Sequence, residues 1–151
     1  MPKKILSEQH EYITMRIPAI KFWRGNAWND AINMDNLAKN GYVTLTVVKE
    51  KAMDIVHIVI NDNLKPYIVG YEDDYWGKNG VAKLKLADVV FDEITGITTY
   101  PESTDMKIVQ YRVKIIPSEM SKLFPIEQNS NQKTEREAKF RKFDDGWRLA
   151  Q

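Results

Sequence analysis

The last nineteen residues, KTEREAKFRKFDDGWRLAQ (Lys133–Gln151), restrict the fold more than any other stretch. Asp145-Gly146 is a two-residue turn signal, because a type I′ turn needs positive φ at both central positions. With that pair as the loop, Asp144 faces Trp147 and Lys142 faces Leu149. Ala138, Phe140, Trp147 and Leu149 then share one face. Lys139, Arg141 and Arg148 share the other, together with Phe143. A three-residue loop would carry Trp147 and Leu149 onto the charged face, since a one-residue slip inverts every side chain. The expectation is an antiparallel pair with one buried and one wet face, and an exposed Phe143 against Arg148 in a cation–π contact.

Upstream, alternation recurs. Tyr42–Val48 reads as a half-buried strand with Val43, Leu45 and Val47 inward and Thr44 and Thr46 outward. Lys49–Met53 reads as a charged loop, and Asp54–Ile60, apolar on both sides apart from His57, as a central covered strand. In Val81–Phe91 the apolar parity changes, from Ala82, Leu84 and Leu86 to Val89 and Phe91, which predicts a β-bulge near Ala87-Asp88. Thr95-Gly96 marks a turn or second kink. Met106–Ile116 puts Val109, Tyr111, Val113 and Ile115 inward, and Ser118 is placed to cap a helical turn running to Phe124.

Asn26–Asn40 is the best helix. Trp28, Ala31, Ile32, Leu37 and Ala38 recur near helical spacing with Met34 at the margin, Asn26 is the expected N-cap, and Gly41 stops it. Residues 1–25 read as an N-terminal arm: a short helix capped by Ser7, then Ile17, Ile20, Phe22 and Trp23 packed on the body. Tyr71–Gly80, with three acids, three aromatics and two glycines, reads as a loop; Ile126–Gln132 and Pro101–Asp105 read as polar connections. Strands joined in succession, with one main helix, predict a single α+β domain over residues 1–151, the helix lying on a curved antiparallel sheet.

The C-terminal third carries a resemblance. Val109, Tyr111 and Val113, then Phe124-Pro125, then Phe140 followed by Asp144, Asp145, Gly146, Trp147 and Arg148, resemble the closing half of small bacterial domains of cystatin-like or nuclear-transport-factor-2-like shape. Many such domains are exported or lipid-anchored. The chain has no cysteine for a lipobox, so the anchoring part of the likeness lacks its residue. Residues 26–68 are similar to the end of a winged-helix domain, which implies DNA binding. That helix, however, carries Asp30 and Asp35 against Lys39 and offers phosphates no basic face.

Composition narrows function further. A net charge of +1 gives no field to hold nucleic acid or an anionic membrane, and no nucleic-acid partner is expected. The absence of cysteine removes disulfides, thiolate nucleophiles and Cys–zinc sites. No apolar run reaches membrane-span length, and Met1-Pro2-Lys3-Lys4 is followed by no apolar core of a signal peptide. As written the chain is expected in the cytosol, or in the periplasm or outside the cell if a leader has been removed. No phosphate-binding glycine motif, HExxH or GxSxG occurs. No cofactor, metal site or catalytic set is expected, which leans away from an enzyme.

Three functional expectations result. The first is a non-enzymatic binding domain that meets another protein or a second copy of itself. Its contact surfaces would be Phe22 and Trp23 of the arm and Tyr71, Glu72, Asp73, Asp74, Tyr75 and Trp76 of the acidic-aromatic loop. The second is a small-molecule pocket in the concave sheet, lined by His57 and Tyr111, with His57 as general base. The third is the winged-helix DNA binder.

Overall fold

Backbone pairing between neighbouring strands accounts for most of the protein. The computed structural model describes residues 2–25, 28–100, 103–126 and 134–150. In chain order the elements are α1 (Pro2–Ser7), β1 (Glu11–Pro18), β2 (Lys21–Trp23), α2 (Trp28–Lys39), β3 (Val43–Glu50), β4 (Met53–Ile60), β5 (Ile68–Asp74), β6 (Gly77–Tyr100), β7 (Ser103–Pro117), β8 (Glu135–Phe143) and β9 (Gly146–Leu149), with 3₁₀ turns at Lys65–Tyr67 and Glu119–Lys122. This is a small α+β protein, mostly antiparallel sheet with few helices. Contacts divide the chain into two compact units, Thr14–Leu86 with Ser118–Pro125, and Met1–Ile13 with Ala87–Pro117 and Ile126–Gln151.

In the first unit, β2, β4 and β3 form a three-stranded antiparallel sheet with β4 in the middle, as its apolar sequence predicts. Val56 and Ile58 are buried on one face of β4; on the other, Ile55 is buried but Val59 is exposed, so the strand is not covered on both sides as its sequence suggests. Helix α2 packs on β3. Its end is a Schellman closure: Tyr42 N–H donates to Leu37 O at 3.0 Å and Gly41 N–H to Ala38 O at 3.1 Å, with Gly41 at φ +76°. The expected N-cap, Asn26, lies outside the described residues. The apolar stripe is rotated from the expected one. Met34 and Leu37 are fully buried, whereas Ile32 is 45% exposed, because the stripe follows the 34-37 row onto β3.

Lys49–Met53 is not an open loop. Strands β3 and β4 run to Glu50 and Met53, and only Lys51 and Ala52 connect them, with φ of 50° and 64°. Nor is Tyr71–Gly80 a loop. Tyr71 to Asp74 belong to β5, which pairs with the start of β6 from Asp74↔Gly77 back to Ile68↔Leu84, leaving Tyr75-Trp76 as the tip of a hairpin. A charged sequence forms a ladder because the pairing groups are backbone amides, indifferent to side-chain polarity. The segment expected as an arm is regular structure too. Ser7 ends α1 instead of opening a helix, its Oγ donating to Lys4 O at 2.8 Å, and residues 11–18 and 21–23 are strands.

Strand β6 contributes to both units. Leu84 and Leu86 are buried, then Ala87 and Val89, so burial changes parity at Leu86-Ala87, but the β6–β7 ladder carries no bulge at Ala87-Asp88, where Ala87, Asp88 and Val89 pair regularly with Pro117, Ile116 and Ile115. In the β6–β7 ladder the register shifts lie further on, at Phe91/Glu93 and at Ile94/Gly96, the latter at the expected second kink. Ser118 caps the following 3₁₀ turn, accepting from Met120 N–H at 3.2 Å and donating to Lys85 O at 2.7 Å.

In the second unit β7 pairs with β6 and β8, and β8 with β9. Val109 and Val113 are buried, as alternation requires. The closing pair keeps its predicted faces but not its loop. Phe143 faces Gly146 and Lys142 faces Trp147, so the loop is Asp144-Asp145, and Gly146 alone carries the positive φ, +129°. Phe140 is fully buried with Val109 and Leu6, and Trp147, Ala138 and Ile5 pack against them. The apolar underside of the hairpin is therefore covered by α1, which also contacts β9. Arg148 lies 4.8 Å from the Phe143 ring centroid, the expected cation–π contact.

Candidate functional site

Two stretches that the sequence separates by about fifty residues meet in the first unit. Strand β1 brings Arg16, Ile17 and Pro18, and β2 brings Lys21 and Phe22. The hairpin contributes Asp74, Trp76 and Val81, and α2 contributes Asp30. Together they line a pocket of about 230 Å³. A backbone bond secures the hairpin there: Ala19 N–H, between β1 and β2, donates to Gly80 O at 2.8 Å.

The hairpin tip is held by its own acids. Asp74 Oδ1 accepts from Trp76 N–H at 2.8 Å, and Asp73 Oδ1 accepts from Asn79 N–H at 2.9 Å. A shift in the ladder between Glu72 and Asp74 accommodates this turn. Gly80 leaves room for the Asp74 carboxylate. A Cβ there would lie 1.8 Å from Asp74 Oδ1, inside any permitted contact. Glu72 turns to cations instead, 2.8 Å from Arg16 Nη2 and 3.3 Å from Lys83 Nζ. The three consecutive acids thus have three separate tasks, none shared with a common ligand. Among the described residues no group of three or more His, Asp or Glu is set to hold a metal ion.

At the tip, Tyr75 is 91% exposed and stands edge-on to Trp76, with ring centroids 5.1 Å apart. Trp76 is half-buried, and Lys21 Nζ sits 5.0 Å from its ring centroid while also reaching Glu50 Oε2 at 3.5 Å. Burial raises the Asp30 carboxyl above its usual 3.8. The pocket therefore combines an aromatic wall, two cations and two carboxylates, one of them partly desolvated. Such a lining suits a polar chain with charged and aromatic side chains better than a wholly apolar ligand.

Of the expected contact residues, Trp76 and Asp74 line the pocket, Tyr75 projects beside Trp76, and Tyr71 and Trp23 are exposed. Phe22 is corrected: at 4% exposure it is a core residue whose ring forms pocket wall, not free surface. Arg16, Lys21 and Asp30 were not foreseen. The sequence shows Asp30 only as an acid on the helix and singles out nothing at Lys21, and only the strand pairing of Lys21 with His57 fixes where that lysine points.

The two residues expected to line a catalytic pocket belong to different units. His57, on β4, is opposite Lys21 and Thr46. Its Nε2 lies 3.3 Å from Glu50 Oε1 without the angle of a hydrogen bond, and Glu50 also engages Lys21. Tyr111, on β7, packs against Phe91 with ring centroids 6.2 Å apart. It lines a second recess, of about 430 Å³, with Arg112, Arg136 and Glu137. The charges there are already committed: Arg112 bonds Glu93 at 2.6 Å, Arg136 bonds Glu11, and Gln110 donates to Glu137 at 3.4 Å. Tyr111 and Arg136 are cross-strand partners on the face that also carries Val109 and Ala138, while Gln110, Arg112 and Glu137 lie on the other. Among the described residues no helix is long and apolar enough to cross a membrane. No protein-family model matches the chain, nor does any curated protein or solved structure.

Proposed function

We propose that the chain is a non-enzymatic binding module whose contact surface is the Tyr75-Trp76 hairpin tip and the pocket that Trp76 lines. The observation that carries this reading is the tip itself: a nearly fully exposed tyrosine braced edge-on by a tryptophan that roofs a mixed-charge pocket. Exposing that much aromatic surface is costly unless a partner covers it, and Tyr and Trp are the residues in which interface energy concentrates. The partner is a protein segment presenting a basic or amide group towards Asp30 and Asp74 and an apolar group against Trp76. The fold reading that accompanies it, a main helix on a curved antiparallel sheet in the cystatin-like or nuclear-transport-factor-2-like manner, draws support from the strand content and from α2 packing on β3.

The test is a double replacement, Tyr75→Ala with Trp76→Ala, in pull-downs that first identify partners of the unaltered chain. Loss of a partner, with strand content unchanged by circular dichroism, supports the tip as the contact surface. Undiminished capture of every partner by the variant would refute it. A hot-spot aromatic pair of this kind is expected to weaken binding by about 2 kcal/mol or more, roughly thirtyfold.

A further inference from the structure

Among the described residues strand β3 has a strand neighbour on one side only, since its sheet runs β2-β4-β3. Its ladder with β4 is unbroken from Glu50↔Met53 to Val43↔Ile60. A two-residue connection at Lys51-Ala52 makes Glu50 and Met53 a pair that exchanges both hydrogen bonds, so Val48, Thr46 and Thr44 also bond towards β4. The other edge of β4 confirms the phase: Ile58 N–H donates to Ile20 O at 2.8 Å, and Asp54 O accepts from Arg24 N–H at 3.2 Å. The amides and carbonyls of Leu45, Val47 and Lys49 therefore point outward along the open edge; those of Val43 face the same way but are covered, the residue being only 3% exposed. Among the described residues no backbone bond closes on them.

Edge strands are ordinarily blunted by proline, a bulge, a charge in mid-strand or short length. Here β3 is eight residues, VTLTVVKE, with no proline, no register shift and charge only at its last two positions. Val47 and Val48, one on each face beside the edge, are 49% and 39% exposed.

We propose that this edge pairs with its own copy, β3 against β3, antiparallel about a two-fold axis at Thr46. The sequence is self-complementary in that register. Leu45 meets Val47 of the second copy, Thr44 meets Val48, and Thr46 meets Thr46, a favoured cross-strand pair. Lys49 and Glu50 of the two copies lie at opposite ends, so like charges never face one another. Every outward N–H and C=O of Leu45 and Val47 finds a partner. Moving the axis to Leu45 leaves Val47 facing the covered Val43, and centring it on Lys49 sets lysine against lysine. Two short strands bury less than the roughly 1,000 Å² of a firm interface, so the dimer is weak, with Kd about 10–100 µM. The proposal concerns a surface separate from the hairpin tip, and neither depends on the other.

Sedimentation of the purified chain from about 1 µM to about 1 mM should show the mass rising to twice the monomer. Val47→Lys, which sets a charge opposite Leu45 of the second copy, should stay monomeric throughout. A monomer at every concentration overturns the proposal, as does a dimer indifferent to Val47→Lys. Thr46→Cys tests the register in a chain with no other cysteine. A non-hydrogen-bonded antiparallel pair has Cα atoms about 4.5 Å apart, within disulfide range. Thr46→Cys should therefore cross-link about tenfold faster than Val48→Cys under mild oxidation. Equal rates would overturn the pairing even if Val47→Lys failed to fold.

Discussion

The connection between β3 and β4 makes a prediction whose sign alone decides it. Lys51 and Ala52 sit at φ 50° and 64°, left-handed backbone that L-residues other than glycine and asparagine enter at a cost. That cost is about 1–2 kcal/mol for alanine. Ala52→Gly removes it while giving the unfolded chain more freedom, which returns about 0.4–1 kcal/mol. The net expectation is a gain of about 0.5–1 kcal/mol, and Lys51→Asn beside it should add a few tenths, because Asn-Gly is the favoured pair for this turn. In urea, with m about 2 kcal/mol/M, the single change moves the midpoint up by roughly 0.25–0.5 M at constant m.

The measurement is urea unfolding of the unaltered chain, Ala52→Gly, and Ala38→Gly as reference. Ala38 lies in α2, where the same exchange is expected to cost about 1 kcal/mol. If Ala52 were extended or right-handed, glycine would destabilise there as well, by about 0.5–1 kcal/mol. A lower midpoint for Ala52→Gly therefore refutes the turn geometry. Gly146→Ala runs in the opposite direction. Nothing lies within 4 Å of the added methyl, so the loss is purely conformational, from φ +129°, and about 1–3 kcal/mol is expected.

Two further outcomes concern the pocket. Gly80→Ala drives a methyl into the Asp74 carboxylate, freeing Trp76 N–H, so Trp76 fluorescence and the exchange protection of its amide should both change; an unperturbed amide would show that Asp74 does not brace the tip. Asp30 should titrate by NMR above 3.8, because burial disfavours its charge. A raised folded pKa means that ionisation costs the folded state. The penalty is absent below pH 3.8, where the acid is protonated in both states, and complete once pH has passed the folded value. The stability of Asp30→Asn relative to the unaltered chain should therefore rise with pH across that window, and a fall would refute the desolvation.

Periodicity was legible wherever one face meets a core. Val109 and Val113, the Leu86-Ala87 parity change, the Gly41 stop and the Ser118 cap all lie where local rules place them. The β5–β6 hairpin was hidden because its strand carries register shifts at Ile68/Gly70 and Glu72/Asp74, which destroy alternation, and because acids and glycines imitate a loop. The Lys51-Ala52 turn was hidden because neither residue has the chemistry such backbone favours. Position 32 misled for a different reason. A helical stripe can be rotated by one residue without changing its composition, and only the contact with β3 decides between Ile32 and Met34.

The closing hairpin explains why faces could be inferred but the pocket could not. Moving its loop from Asp145-Gly146 to Asp144-Asp145 changes every cross-strand partner by two positions, so Lys142 meets Trp147 instead of Leu149. Two positions is one full period of a strand, so no side chain changes face, and Phe140 and Trp147 remain in one core. A face thus survives an error in the turn, whereas a partner does not. The pocket depends on partners: Lys21 opposite His57, Asp74 opposite Gly77, Ala19 bonded to Gly80. Each is a register, set jointly by turn geometry and packing from elements distant in sequence. Surfaces made from one face of one strand, such as the edge of β3, are therefore the functional features most open to inference from sequence in a chain of this kind, once its neighbours are known.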